Sequence, residues 1–364
     1  MSRERLMSSE YMHWVKTASQ ARYDLVSSDL LHCPLSELKV TLADLEINGP
    51  GGYGYQPLRE ALARKCGVTP DCIVSSLGTS MANHIAFAAL IQPGDEVLLE
   101  HPTYELLLST LRYLGASVRR FHRRPENGFL IDTDELTPLV TSKTKLIVLT
   151  NLHNPSSAFT DEGTLRRVSE LASAAGAHLL VDEVYADAAF GERPRSAFHA
   201  GSNVVATNSL TKVYGLSGLR CGWIVASPPL AARMWRLTDL FHSTPAHMAE
   251  LVSVIALREL DRLAARSQSL LAANTTLVNE FFTSCKALTA VTHRYGLVAF
   301  PKLNRGSVDS LCSLLRKEYA TSVAPGKFFE MPEYFRIGIG RETSMLAEAL
   351  PRLKSALEEV GGKG

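Results

Sequence analysis

The sequence is short of several things that would narrow its function at once. Its six cysteines (Cys33, Cys66, Cys72, Cys221, Cys285 and Cys312) include no CxxC pair. That argues against a paired-cysteine metal or redox site and for reduced, mostly buried thiols in a cytoplasmic protein. No apolar stretch approaches the ~18–20 residues of a membrane span, and the opening MSRERLMSSE lacks the apolar core of a secretory signal. Charge of neither sign is in excess: Lys+Arg 38 against Asp+Glu 37 leaves +1, too little for bulk attraction to nucleic acid. The basic pairs Arg119-Arg120 and Arg123-Arg124 read as a solvated face. Glycine (24) and proline (17) stand at ordinary levels, which excludes collagen, disordered tails and low-complexity linkers. There is no Walker loop, no HExxH metal pair and no complete GxSxG elbow.

What remains is a chain of 364 residues, 46% hydrophobic and 21% charged, long enough for about two domains and a large core. From about residue 70 to residue 230 short apolar runs alternate with amphipathic helical stretches. GTSMANHIAFAALIQPGD reads as a buried helix stopped by Pro93-Gly94, and DEGTLRRVSELASAAG as a helix with acidic residues in its first turn. KLIVLT, AHLLVDE, NVVATNS and CGWIVAS read as strands. This alternation predicts an α/β fold, a mostly parallel sheet sandwiched by helices, with ligands at the carboxyl ends of the strands. Residues from about Pro229 to Cys285 are almost entirely helical in pattern, and the last stretch mixes strands and helices as a smaller α+β domain would. The first ~40 residues fit packing against that second domain.

Residues 49–54 (GPGGYG) match the spacing of a dinucleotide fingerprint. A working fingerprint needs a buried strand before it, and Asp44 and Glu46 interrupt any such strand here. A flexible loop is the better reading. Lys212, by contrast, sits just past the strand NVVATN, where desolvation would lower its pKa and make it a Schiff-base nucleophile. Asp182 ends the strand in LLVDEVY, either as a helix cap or as a functional charge.

Seven separated motifs then fall in one order from about Gly49 to Gly340: GYQPLREA, GTS, HPTYE, NLHNPSS, VDEVY, SLTK…GLR and FRIGIG. With them the chain resembles the class I/II aminotransferases, fold type I enzymes dependent on pyridoxal 5'-phosphate. The resemblance implies that Lys212 links covalently to the cofactor and that Asp182 pairs with its ring nitrogen. Tyr185 and Asn154 resemble the pair that hydrogen-bonds the ring oxygen, and Tyr104 the aromatic residue stacked on the ring. Gly78, Thr79, Ser80, Ser209 and Arg220 resemble the phosphate ligands; Arg336, with Asn154, resembles the grip on the substrate carboxylate. No metal is implied.

The resemblance also implies a large cofactor-binding domain over 46–269, a small domain over 270–364, and residues 1–45 packing with the small one. It implies a cytoplasmic homodimer acting on an amino acid and a 2-oxo acid, without nucleic acid or membrane partners. Ser157 replaces a usual glycine and Leu152 a frequent proline, which predicts altered loop geometry with catalysis retained. The family's partner-subunit tyrosine has two candidates, Tyr53 and Tyr55. Tyr11, Trp14 and His101 are candidates for the substrate cleft, and Arg123 or Arg124 for an acidic side chain. Transamination leads among the reactions of this fold. A β-eliminating C–S lyase is the nearest alternative, a nicotinamide oxidoreductase using the glycine-rich loop a second, and a cofactor-binding regulator a third.

Overall fold

The computed structural model describes residues 6–192, 194–292 and 294–361. The chain opens with α1 (Glu10–Thr17) and a two-residue strand, β1 (Tyr23–Asp24), and runs through short turns to α2 (Gln56–Cys66). Strand and helix then alternate through β2 (Ile73–Leu77), α3 (Gly78–Leu90), β3 (Glu96–His101), α4 (Glu105–Tyr113) and β4 (Ser117–His122). The one-turn α5 (Thr133–Leu136) precedes β5 (Thr144–Thr150), α6 (Glu162–Ala174), β6 (His178–Asp182), β7 (Val204–Ser209) and β8 (Cys221–Val225). Three helices follow: α7 (Pro228–Thr238), α8 (His247–Arg258) and the 25-residue α9 (Leu260–Ser284). The final part holds β9 (Leu288–Thr289), β10 (Val298–Ala299), β11 (Lys302–Leu303) and α10 (Val308–Glu318). It ends with β12 (Thr321–Ser322), β13 (Ala324–Pro325), β14 (Phe335–Gly338) and α11 (Thr343–Gly361).

Strands β2 to β8 form one seven-stranded sheet in the order β2-β8-β7-β6-β5-β3-β4. It is parallel except at β8, which runs antiparallel to both β2 and β7. The run TKLIVLT in β5 shows why helices cover both faces. Leu146 and Val148 pack with Phe87, Leu107 and Met234 on one side, Ile147 and Leu149 with Leu165, Val168 and Ala172 on the other. A strand apolar on both faces needs two layers to bury it. The predicted α/β sandwich is the fold observed. Local signals set the helices: the Asp161 side chain accepts from Thr164 N to start α6, and α3 ends just before Pro93-Gly94.

A smaller α+β unit pairs β10, β14 and β13 antiparallel, and β9 with β11. The N-terminal segment joins it where β1 lies parallel to β12. Residues before α2 also reach the larger unit: Ser9 hydrogen-bonds Glu105 of α4, and the ring of Tyr53 packs on Trp235 of α7. The boundary expected near residue 270 falls inside α9, which is continuous. The glycine-rich residues 49–54 follow a single 3-10 turn (Leu42–Asp44) rather than a buried strand, so the context of a dinucleotide fingerprint is missing. Among the described residues no helix is long and apolar enough to cross a membrane.

Two charged groups buried beside the sheet are held by specific partners. Arg123 and Glu100, both 0% exposed, pair at 2.9 Å. Arg123 also donates to the carbonyls of Phe129 and Thr150, while Glu100 Oε1 accepts from Thr150 N at 2.8 Å and Thr150 Oγ1 at 2.6 Å. Removing Arg123 alone strands a buried carboxylate, which costs about 3–5 kcal/mol. Equilibrium denaturation of Arg123→Met is expected to show a loss of about that size. Adding Glu100→Gln, which removes the stranded charge but keeps the acceptor for Thr150, restores part of it. A single-variant loss under about 1 kcal/mol, the range of exposed pairs, would contradict this.

Glu183, just beyond β6, is also buried, accepting from Ser196 Oγ at 2.9 Å and Ala197 N at 2.5 Å. Burial pushes its carboxyl up to about 7. A carboxyl raised on folding binds more protons in the native state, so its contribution is fully present at acid pH and is lost as pH rises through about 7. In Glu183→Gln the amide oxygen still accepts from Ala197 N while the amide NH2 donates to Ser196 Oγ, without the charge. Its stability advantage over the native chain is expected to grow between pH 5 and pH 8, by up to about 3 kcal/mol. Denaturation curves giving the same difference at both pH values would refute this.

Candidate active site

Registers along the parallel strands put Thr150 opposite Asp182 and Asp182 opposite Thr207. Thr150, Asp182 and Thr207 therefore stand level, β7 runs on to Ser209, and a cavity of about 670 Å³ lies over these carboxyl ends. Thr150, Asp182 and Ser209 line it from the strand ends, Asn154, Tyr185 and Lys212 from the turns that follow. Thr79 and Ser80 enter from the start of α3, Tyr104 from the start of α4 and Tyr11 from α1. This is where an open α/β sheet places its ligand.

The floor beside α3 is built for an anion. Gly78 opens the helix at φ +80°, a left-handed conformation that favours glycine. A Cβ there would collide with the Arg220 guanidinium, and one on Gly222 would sit 2.6 Å from Gly78 Cα. Gly78 thus contributes by absence: it lets Arg220, itself at φ 50°, lie against the helix N-terminus. Arg220 Nη2 donates to Leu77 O at 3.2 Å, with Nη1 on Ser217 O at 3.3 Å. Thr79 Oγ1 and Thr211 Oγ1 are buried with no partner among the described residues. Orphaned hydroxyls, a helix N-terminus and a guanidinium fit a phosphate group.

Across the cavity Asp182, 3% exposed, accepts from Asn83 Nδ2 at 2.7 Å and Val184 N at 3.0 Å. It caps no α-helix. Burial pushes its carboxyl up to about 6, so a protonated ring nitrogen beside it would restore the charged form. Asn83 is fixed in turn, its Oδ1 accepting from Thr207 Oγ1 at 2.6 Å. Asn154 Nδ2 donates to the Tyr185 hydroxyl at 3.3 Å, and Asn154 N donates to Thr150 Oγ1 at 3.0 Å. The Tyr104 ring stands edge-on to Tyr11 with centroids 5.9 Å apart. A phosphorylated pyridine aldehyde fits this set: an amine in Lys212, a carboxylate for the ring nitrogen, donors for a ring oxygen and a cradle for the phosphate.

Lys212 corrects one expectation. Burial alone would lower its pKa, but Asp29 ion-pairs with it and holds the ammonium well above the usual lysine value. Ser28 Oγ accepts from the same Nζ at 3.3 Å. Lys212 in this chain is therefore a paired cation, and becomes a nucleophile only when Asp29 gives it up. Arg336 is inward-facing as its apolar flanks imply, with 0% exposure, yet it does not line the cavity. Its Nη1 donates to Asn154 Oδ1 at 2.9 Å and its Nη2 to the Tyr11 hydroxyl at 2.6 Å, while Nε has no partner. Tyr11, which lines the cavity, covers the Nη2 donor of this arginine.

The remaining candidates disperse. Trp14 packs on Phe328, and His101 faces His122 with Nδ1 atoms 3.2 Å apart. Arg123 is sealed against Glu100, and Arg124 pairs with Glu135 at the surface, so neither serves the cavity. Tyr53 is 43% exposed with its hydroxyl on Asp239, and Tyr55 packs on His247; both lie outside the cavity. Ser157 adopts φ 66°, a left-handed conformation that glycine takes more readily. Asp29, Asn83 and Thr211 went unnoticed in the sequence. Asn83 alone carried a signal, a polar residue four positions after Thr79, one helical turn on, in the mostly apolar α3.

Residues 28–353 match the family Aminotransferase class I and II. Capreomycidine synthase of Streptomyces vinaceus is 30% identical over 94% of this chain and 90% of its own length. A probable aspartate/prephenate aminotransferase of Aquifex aeolicus is 27% identical over 84% and 82%. The crystal structure of a PLP-dependent aminotransferase from Streptococcus suis superposes with a TM-score of 0.90 at 26% identity, covering 98% of this chain and 99% of that one. On this match and on the fold, the chain belongs to the class I and II aminotransferases, a family of pyridoxal phosphate-dependent enzymes.

Proposed function

We propose that this chain is an aminotransferase that moves an amino group between an L-amino acid and a 2-oxo acid. The observation that carries the reading is one cavity gathering the Lys212 amine, the buried Asp182 carboxylate and the anion cradle with its orphaned hydroxyls. Pyridoxal phosphate, when bound there, supplies the electron sink that acidifies the α-proton of an amino acid. Lys212 would hold the cofactor covalently and, once an incoming amine releases it, would take the α-proton of the substrate and deliver it to the cofactor carbon on the other side of the amino nitrogen. Asp182 keeps the ring nitrogen protonated. Asn154 and Tyr185 donate to the ring oxygen, and Tyr104 packs on the ring face. Thr79, Ser80, Ser209 and Arg220 bind the phosphate at the α3 terminus that Gly78 opens. Arg336, already joined to Asn154, receives the substrate carboxylate once the Tyr11 hydroxyl yields its Nη2 donor.

A second reading has its own support. The relative at 30% identity is named a synthase rather than an aminotransferase, and Asp29 beside Lys212 supplies a carboxyl that can serve a leaving group. On that reading the enzyme eliminates or cyclises, a β-lyase being the simplest case. The glycine-rich loop also favours a homodimer over a nucleotide site. It is exposed with Ile47 and Tyr53, and the Tyr53 hydroxyl donates to Asp239, next in the chain to the exposed Leu240 and Phe241. Tyr53 or Tyr55 would then reach the partner's phosphate.

The purified protein mixed with pyridoxal phosphate is expected to show a band at about 400–430 nm. Lys212→Ala is expected to lose that band and to reduce turnover by about a thousandfold or more, while melting as a folded protein. Asp182→Asn is expected to bind the cofactor and to turn over at least about a hundredfold more slowly. Amino-acid panels should yield matching 2-oxo acids beyond one equivalent per enzyme only when a second 2-oxo acid is present. Ammonia released without that co-substrate would replace transamination by elimination.

A further inference from the structure

We propose that Asp29 is the specificity residue of this site and selects amino acids whose side chain carries a cation, an ammonium or a guanidinium. The proposal rests on the cofactor-dependent reading above and names its substrate class. The backbone that carries Asp29 is fixed on both sides. Leu25 N donates to Ser322 O at 2.9 Å, Leu30 N to Lys212 O at 2.9 Å and Leu31 N to Gly340 O at 2.6 Å. Gly340 has no room for a side chain there, since its Cβ would sit 2.6 Å from Asp29 O. A side chain on so constrained a segment keeps its place when a ligand arrives.

The charges lining the cavity account for one another except at this residue. Arg220 lies at the anion cradle, and Asp182 sits where a ring nitrogen would come. Asp24 is taken by Arg341 at 2.8 Å. Asp29 is paired with Lys212 and, more distantly, feels Arg341 and His32. When Lys212 is tied to the cofactor its ammonium is no longer free for Asp29, and a largely buried carboxylate is left facing the cavity. Burying a charge without a partner is costly, so a ligand that brings a cation is favoured. For an anionic side chain the reverse holds. Among the described residues Lys212 and Arg220 are the only lysine or arginine residues lining the cavity, and both are committed.

The test is a spectral titration of the loaded protein, which reads binding separately from turnover. Arginine is compared with citrulline and ornithine with norvaline, by the shift of the cofactor band. The native protein is expected to prefer the cationic member of each pair by about tenfold or more, and to bind glutamate more weakly than norvaline. In Asp29→Asn the ratios are expected to fall to near one, whereas Asp29→Glu keeps the preference. Ratios near one in the native protein, or unchanged ratios in Asp29→Asn, would overturn the substrate class and leave the cofactor chemistry standing. Absence of any cofactor band in the native protein would overturn the proposed function, and the substrate class with it.

Discussion

A strand apolar on both faces can carry a polar side chain only at its end, and that constraint places everything in this site. In β5, β6 and β7 the apolar interior residues are divided between two hydrophobic layers, so polar side chains begin at the strand ends, at Thr150, Asp182 and Thr207. Parallel registers then bring those positions level. Antiparallel pairing would have sent alternate ends to opposite edges. The supporting groups follow: Glu100 fixes Thr150, Thr150 fixes the Asn154 backbone, and Asn154 reaches both Tyr185 and Arg336. The buried Arg123–Glu100 pair, sealed from the cavity, is the far end of that chain of contacts.

The electrostatics of the cavity point the wrong way for chemistry until a ligand enters. Asp182 is pushed toward its protonated form by burial, and Lys212 toward its ammonium by Asp29. Catalysis needs the opposite in both cases, an ionised Asp182 and a neutral amine. A ring with a protonated nitrogen and an electrophilic carbon would correct both at once, one by contact and one by covalent capture. Such a site is strained in its charges before it binds, and relief of that strain adds to the affinity for the cofactor.

The sequence made legible what depends on neighbours in the chain. Strand ends, the glycine before α3, the cap of α6 and the inward Arg336 each follow from a few adjacent residues. The motif order from GYQPLREA to FRIGIG pointed to the family because each run is a few adjacent residues, readable without any tertiary contact. What stayed hidden depends on residues far apart. The pKa of Lys212 was expected to fall because only burial was visible; the partner that reverses it lies 183 positions earlier. Tyr11 on Arg336 and the dispersal of Arg123, Arg124, Trp14 and His101 are likewise tertiary facts. No periodicity in residues 25–31 marks Asp29 as different from any surface aspartate.

That same segment shows how one scaffold separates chemistry from substrate choice. The sheet ends cannot change without disturbing two hydrophobic layers, so the groups on them are tied to the reaction. Residues 25–31 are held through their backbone, by hydrogen bonds to Lys212, Ser322 and Gly340 and by glycines at 338 and 340 that let them approach. Backbone anchoring is indifferent to the side chain. A residue there can therefore face the cavity with a carboxylate in one relative and something else in another, at little cost to the fold. Asp29 is the charged member of that segment nearest the reactive amine. In this chain its charge is the feature that separates a general amino-group chemistry from the selection of a particular amino acid.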